Sequence, residues 1–193
     1  ALTAVPTHPG AMAAAVRARG HSLLGDPSAG EAHSQALAAA GTPEDRARAL
    51  RFYGADLTRH DRFTEAIDVL EEAVRAAQRA GEPIGRADAL DLLGSALVIV
   101  GEVDRAILSH RSALSMREVQ GKPEGLAGTL RRLGRAESRT PQSGRALGHL
   151  VAARAILRDA GLESRLARLE VDLAEVRWRR GEDEHVRRHL DAA

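Results

Sequence analysis

The feature that most constrains the fold is a spacing of 40 residues that recurs at several independent small residues. One glycine series consists of Gly54, Gly94 and Gly134, and a second of Gly41, Gly81, Gly121 and Gly161. Alanine keeps the same step in the series Ala66, Ala106 and Ala146, and in the series Ala73, Ala113, Ala153 and Ala193. A step held at this many positions is typical of a repeat array, in which each repeat packs mainly against its neighbours.

The segments between these residues have the pattern of α-helices. Apolar residues fall at helical spacing, for example at Leu50, Tyr53 and Leu57. No stretch alternates with a period of two, and aromatic residues make up only 2% of the chain, so strands are not expected. We predict ten helices in five antiparallel pairs: 11–24 with 29–40, 43–59 with 63–80, 83–100 with 103–119, 123–138 with 143–160, and 162–180 with 183–192.

The breaks between helices carry their own signals. The glycines of the second series suit the left-handed residue that follows a helix, where a side chain would clash. Pro43, Pro83 and Pro123 suit the first helical turn, where a missing N–H costs little. Thr42 is predicted to cap the helix that begins at Pro43.

Composition narrows the classes of function. The net charge of +1 argues against a general affinity for nucleic acid or for an anionic membrane, and no apolar run reaches the roughly 18 residues of a membrane span. With no cysteine, the chain has no disulfide and no thiol nucleophile. Residues 1–10 contain two prolines and no periodicity, and are expected to be a linker or a frayed terminus. Because the chain lacks an initial Met and a signal-peptide pattern, we expect a cytoplasmic fragment of a longer protein.

The order and spacing of the repeated residues within a helix pair resemble the tetratricopeptide repeat motif, W-x2-L-G-x2-Y followed by A-x3-F. The second unit matches it at Leu50, Tyr53, Gly54, Leu57, Ala66, Leu70 and Ala73. The first unit is weaker, with Val16, Gly20, Leu23, Ala32, Ala36 and Ala39, and the last has Ala174 and Val186 in place of glycine and alanine. HEAT-type repeats have a similar period but lack this glycine and alanine series, so they are the second possibility.

The resemblance implies an all-α, right-handed superhelical solenoid of five antiparallel helix pairs. It implies one repeat domain over residues 11–193, with units 11–41, 42–81, 82–121, 122–161 and 162–193. The long repeats and their linkers are also similar to the tetratricopeptide modules of actinobacterial multidomain transcriptional and signalling regulators. In such regulators the repeats act as a sensor or docking surface.

The resemblance further implies that the first helix of each pair lines a concave groove that binds a protein or peptide. The candidate groove residues are Arg48, Arg51, Phe52, Arg59, Asp91, Ser95, Arg131, Arg135, Arg139, Glu175 and Trp178. Arg131, Arg135 and Arg139 are four residues apart and share one helix face. Guanidinium groups bind carboxylates with paired donors, so the expected ligand is an acidic or C-terminal peptide. The alternatives are that the arginines only solvate their helices and that Trp178 only covers the core.

Other classes of function find less support in the sequence. Self-association is the main alternative, because the last predicted helix is not followed by a polar capping helix. Direct nucleic-acid binding is disfavoured by the net charge and the few aromatic residues. No phosphate-binding, dinucleotide, zinc-protease or serine-hydrolase motif occurs, so we expect neither an enzyme nor a cofactor. His185 and His189 are four residues apart but have no third ligand, so no metal site is expected, and His110 is expected to be a partly buried core residue.

Overall fold

The computed structural model describes residues 9–23, 28–140 and 144–180, and within those ranges α-helix is the only regular element. In chain order the helices are α1 Pro9–Leu23, α2 Ala29–Ala38, α3 Pro43–Arg59, α4 Phe63–Arg79, α5 Pro83–Ile99, α6 Val103–Gln120, α7 Pro123–Glu137, α8 Gly144–Asp159 and α9 Glu163–Arg179. Helix α1 begins two residues before its predicted start, and most of the predicted linker lies outside the described residues. The predicted tenth helix, 183–192, also lies outside them.

Helix starts follow the predicted chemistry. Pro43, Pro83 and Pro123 are the first residues of α3, α5 and α7. The Thr42 hydroxyl accepts a hydrogen bond of 3.1 Å from the Asp45 N–H, as expected of an N-cap. At the start of α4, the side-chain hydrogen bond between Arg62 and Glu65 lowers the pKa of the Glu65 carboxyl.

Helix ends follow the prediction at three of the four glycines in the second series. Gly81, Gly121 and Gly161 have φ values of 66°, 64° and 66°, which is the left-handed conformation. Gly41 does not adopt it. There, α2 closes with a tight turn in which the Ala40 N–H donates to the Leu37 carbonyl at 3.3 Å, so no left-handed residue is needed.

The chain divides into two compact units, Ala1–Val100 and Gly101–Ala193. In the first unit, α1 packs on α2 and α3 packs on α4, which are the predicted pairs. Helix α3 also contacts α1 and α5, so the first helices of successive pairs lie side by side. The core clusters consist mostly of alanine: Ala14, Ala15, Ala36 and Ala49 in one, and Ala47, Leu50, Ala73, Ala76, Ala77 and Ala89 in the other.

In the second unit, α7 packs on α8 as predicted, and α7 also contacts α6 and α9. Its core cluster is rich in leucine, and each buried leucine contributes about 1.5–3 kcal/mol. The buried members are Ala127, Leu130, Ala146, Leu150, Ala153, Leu157, Leu166, Leu169, Leu173 and Val176.

The repeated small residues lie where helices cross closely, as predicted. A Cβ added at Gly54 would be 2.5 Å from Leu70 Cγ, and one added at Gly134 would be 2.9 Å from the Ala146 carbonyl oxygen. Gly94 is also buried. The alanines of both series are fully buried wherever the structure describes them: Ala66, Ala73, Ala106, Ala113, Ala146 and Ala153. A small side chain at these positions is therefore a packing requirement.

Two glycines of one helix pair give a matched test of this requirement. We expect Gly134→Ala to lower the free energy of unfolding by about 1–3 kcal/mol, because the new methyl group meets backbone that cannot rotate away. Gly148→Ala, in the partner helix α8, has no atom within 4 Å of the added Cβ. It should raise the free energy of unfolding by about 0.5–1 kcal/mol through helix propensity alone. Urea denaturation of both variants measures the difference, and equal effects would contradict close packing at Gly134.

Candidate functional site

The arginines that the sequence places on α3 are held in ion pairs with the start of α5. The Arg51 guanidinium donates a hydrogen bond of 2.7 Å to the Asp88 carboxylate. Arg48 lies 3.8 Å from the Glu82 carboxylate, at the residue before α5. These pairs join the first helices of two successive repeats. In both cases the predicted groove arginine also has a structural role.

Phe52 lies between two guanidinium groups. The Cζ atom of Arg19, on α1, is 5.1 Å from the ring centroid, and that of Arg51 is 5.3 Å from it. Both distances fall within the range of cation–π attraction. The ring is partly buried and packs against the alanine cluster that contains Ala36 and Ala49. Phe52 is thus an anchor between α1 and α3 with only part of its surface available to a ligand.

Arg59 belongs to a buried polar network that the sequence analysis missed. It forms an ion pair with Asp56, whose other carboxylate oxygen lies 2.7 Å from His33 Nε2. The His33 ring stacks on Tyr53 with a centroid distance of 4.9 Å. His33 and Asp56 are both buried. The sequence contained a signal for this network, because the second, third and fourth units have isoleucine or leucine in place of His33, and the third and fourth have alanine in place of Asp56.

The two candidates on α5 are less available than predicted. Asp91 is buried, with a few per cent of its surface exposed. The Ser95 hydroxyl donates a hydrogen bond of 2.8 Å to the Asp91 carbonyl, one turn earlier in the same helix. Both residues are therefore engaged within the protein.

On α7 the predicted arginine stripe divides into members with different environments. The Arg131 guanidinium donates a hydrogen bond of 2.6 Å to Asp172 on α9, and its side chain is only 14% exposed. Arg135 Nε lies 3.4 Å from the second oxygen of the same carboxylate, and its side chain is 50% exposed. Asp172 therefore brings Arg131 and Arg135 together, with Arg131 inside and Arg135 towards solvent.

The remaining candidates lie on the exposed side of the second unit. Arg139, just beyond the end of α7, is exposed. On α9, Glu175 accepts a hydrogen bond of 2.5 Å from Arg179, and Trp178 is 46% exposed. The tryptophan is therefore a surface residue. We call Arg135, Arg139 and Trp178 the α7–α9 surface.

Among the residues that the structure describes, no group of three or more His, Asp or Glu side chains could hold a metal ion. His185 and His189 lie outside the described residues. His110 is buried at a position that Leu70 and Leu150 occupy in other repeats, as expected of a core histidine. None of the described helices is long and apolar enough to cross a membrane.

Solved structures with the same fold cover nearly the whole chain. A kinesin light chain with TPR-like repeats from Podosopora anserina superposes with a TM-score of 0.75 at 19% identity, over 93% of this chain and 91% of that one. BtubC (BKLC) from P. vanneervenii gives a TM-score of 0.78 at 18% identity, over 93% of this chain and 76% of that one. Aspartyl phosphate phosphatase F from Bacillus subtilis gives 0.78 at 13% identity, and 95% of this chain matches half of that protein.

The sequence comparisons add no closer relative. No family model matches the chain, and no curated protein matches it. The structural matches confirm the predicted all-α, tetratricopeptide-like fold. The chain therefore has the fold of TPR-like repeat proteins.

The buried position of the Arg131–Asp172 pair makes its strength measurable. In a double-mutant cycle with Arg131→Met and Asp172→Asn, we expect a coupling free energy of about 1–3 kcal/mol, because both groups are shielded from water. The exposed Arg62–Glu65 pair at the start of α4 is the matched control, and its coupling should be clearly smaller, because solvent screens both charges. Equal coupling in the two cycles would show that Asp172 does not hold Arg131.

Proposed function

We propose that the chain is a non-catalytic scaffold that binds a protein or peptide, and that its ligand contacts the α7–α9 surface. The observation that carries the proposal is that two arginines of different exposure contact Asp172. One arginine there, Arg131, neutralises the buried carboxylate, while Arg135 remains half exposed beside it. The fold supports the proposal, since helix pairs that stack within a unit leave part of the surface of their first helices outside the core.

The chemistry of this surface favours an acidic segment or a free C-terminus as the ligand. A guanidinium has five N–H donors in a planar fork that matches a carboxylate. The 3.4 Å contact with Asp172 leaves Arg135 with donors beyond that ion pair. Trp178 offers an amphipathic ring next to which an extended chain can lie. The paired arginines of α3 contribute less, because Arg48 and Arg51 are held by Glu82 and Asp88.

We further propose that this scaffold is the sensor or docking module of a larger, cytoplasmic bacterial regulatory protein. The support is the resemblance of the long repeats and their linkers to the modules of actinobacterial regulators. Nothing in the net charge of +1 favours direct nucleic-acid binding by this segment.

Self-association is the second candidate function, and one observation favours it. Val171 and Trp178 are seven residues apart on α9, and both are exposed. Residues at this spacing share a helix face, so they form an apolar stripe that a second copy of the chain could cover.

The peptide hypothesis predicts a charge-dependent affinity that fails at one arginine. We expect a fluorescently labelled acidic peptide with a free C-terminus to bind, with an affinity that falls as salt rises from 50 to 200 mM. Arg135→Gln should weaken binding about tenfold, which corresponds to the loss of one charge-assisted hydrogen bond. Arg131 is left unchanged, because altering it would uncover Asp172.

The matched control is Arg158→Gln, an exposed arginine of α8 that should leave the affinity unchanged. Fluorescence anisotropy measures binding, and light scattering on the same samples gives the mass in solution. Equal loss in the two variants, or no loss in either, would refute the α7–α9 surface as the binding site. A dimer that Trp178→Ser dissociates would favour the self-association hypothesis instead.

A further inference from the structure

A buried carboxylate replaces a core leucine in one repeat. The position three residues after the crossing glycine is Leu57 in the second unit, Leu97 in the third and Glu137 in the fourth. Both leucines are buried, and the Glu137 side chain is also only 4% exposed. Placing a charge where a repeat needs only an apolar side chain costs free energy unless the charge is paired. Core packing alone therefore does not explain why Glu137 occupies this position.

Both oxygens of Glu137 are bonded to cationic or polar groups from neighbouring helices. Arg111 on α6 donates a hydrogen bond of 2.9 Å to one oxygen. His149 Nδ1 on α8 lies 2.8 Å from the other. Arg111 and His149 are partly exposed, so the buried Glu137 carboxylate holds both side chains at the protein surface. The carboxylate thereby fixes the position of the Arg111 guanidinium.

Arg111 borders a pocket of about 540 Å³ in the second unit. Its apolar lining residues come from the first turns of α6: Val103, Ile107 and Leu108. Its cationic lining residues are Arg111, Arg139 and Arg145. Two carboxylates, Asp104 and Glu137, complete the charged lining, and Glu137 is already paired with Arg111 and His149. The volume is within the range of ordinary small-ligand sites.

We propose that this pocket binds an apolar carboxylate, with the acid group on the lining guanidinium groups and the apolar group on the lining aliphatic side chains of α6. Guanidinium groups that line a pocket can hold a carboxylate through charge-assisted hydrogen bonds. Leu108 is 64% exposed, so an aliphatic group that covers it removes apolar surface from water. Glu137 acts as a positioning residue, since both of its oxygens are already bonded to Arg111 and His149.

The pocket shares only Arg139 with the α7–α9 surface proposed above. Its walls come from α6, the end of α7 and the start of α8. Arg135 and Trp178 do not line it. Arg139 is common to both, so it is unsuitable as a test residue. Arg111, Arg145 and Leu108 belong to the pocket and not to the α7–α9 surface, which makes failure of the two proposals distinguishable.

The test is a titration of the full 193-residue chain with octanoate, followed by ¹H–¹⁵N NMR spectra. We expect saturable shifts for residues of α6 and the start of α8, and none with the neutral isostere octanamide. Arg111→Gln and Arg145→Gln should each weaken octanoate binding about tenfold, as expected for one charge-assisted hydrogen bond. Leu108→Ser should weaken it by a smaller factor through the lost apolar contact.

Two exposed residues of the same helices provide matched controls. Arg158→Gln on α8 and Val119→Ser on α6 lie outside the pocket lining and should leave octanoate binding unchanged. Circular dichroism establishes that every variant retains its helical content. Equal binding of octanoate and octanamide, or undiminished binding in the Arg111→Gln/Arg145→Gln double variant, would overturn the proposal. The proposal would also be overturned if the unaltered chain bound neither octanoate nor a pentapeptide that ends in leucine with a free carboxylate.

A second ligand distinguishes the two sources of this chemistry. A pentapeptide that ends in leucine with a free carboxylate presents the same acid and aliphatic groups as octanoate, and its C-terminal amide lacks the acid. Tighter binding of the free-acid peptide than of octanoate would assign the pocket to a protein C-terminus. Tighter binding of octanoate would assign it to a free carboxylic acid. Either outcome supports the apolar carboxylate as the ligand class, provided that the amide peptide does not bind.

Discussion

The close crossing of paired helices is the constraint on which the rest of the structure depends. At Gly54 the space of a side chain is filled by Leu70 of the partner helix, and at Gly134 by Leu150 and the Ala146 carbonyl. The buried alanines Ala66 and Ala146 are the small residues of the partner helices at these crossings. Since the pairs are joined through these contacts, the outer faces of the first helices are released from packing. Those faces can then carry charge, and the candidate arginines Arg51, Arg131 and Arg135 belong to these helices.

The fold could be predicted from the sequence because its determinants are local and repeat. Each determinant acts through the backbone at its own position. The determinants are a glycine that makes room for a leucine, a proline at the start of a helix and a glycine with positive φ. Gly41 shows the limit of the method, since it keeps the spacing of Gly81 and Gly121 but not their conformation. The shorter helix α2 ends in a turn that its own backbone hydrogen bonds complete, and residue spacing does not reveal that.

The candidate site could be predicted only in outline, because its electrostatics depend on residues about one repeat apart. The sequence treats Arg131 and Arg135 as equal members of one stripe. In the structure, Asp172 on the next first helix separates them into a buried and an exposed arginine. Arg51 and Asp88 repeat this arrangement in the first unit. Glu137 and His33 depart from the repeat pattern, and an alignment of the repeats with one another shows this in the sequence alone. It does not show their partners, since Arg111, His149 and Asp56 come from other helices and no periodicity relates them.

The central claim is that small residues recur because partner side chains occupy their space, and one double-mutant cycle tests it most directly. Gly54→Ala places a methyl group 2.5 Å from Leu70 Cγ, so its cost should fall when Leu70 is shortened. We predict a coupling free energy of about 1–3 kcal/mol between Gly54→Ala and Leu70→Ala, measured by urea denaturation. The double variant should lose less free energy of unfolding than the two single variants lose together. Additive effects within about 0.5 kcal/mol would contradict the claim.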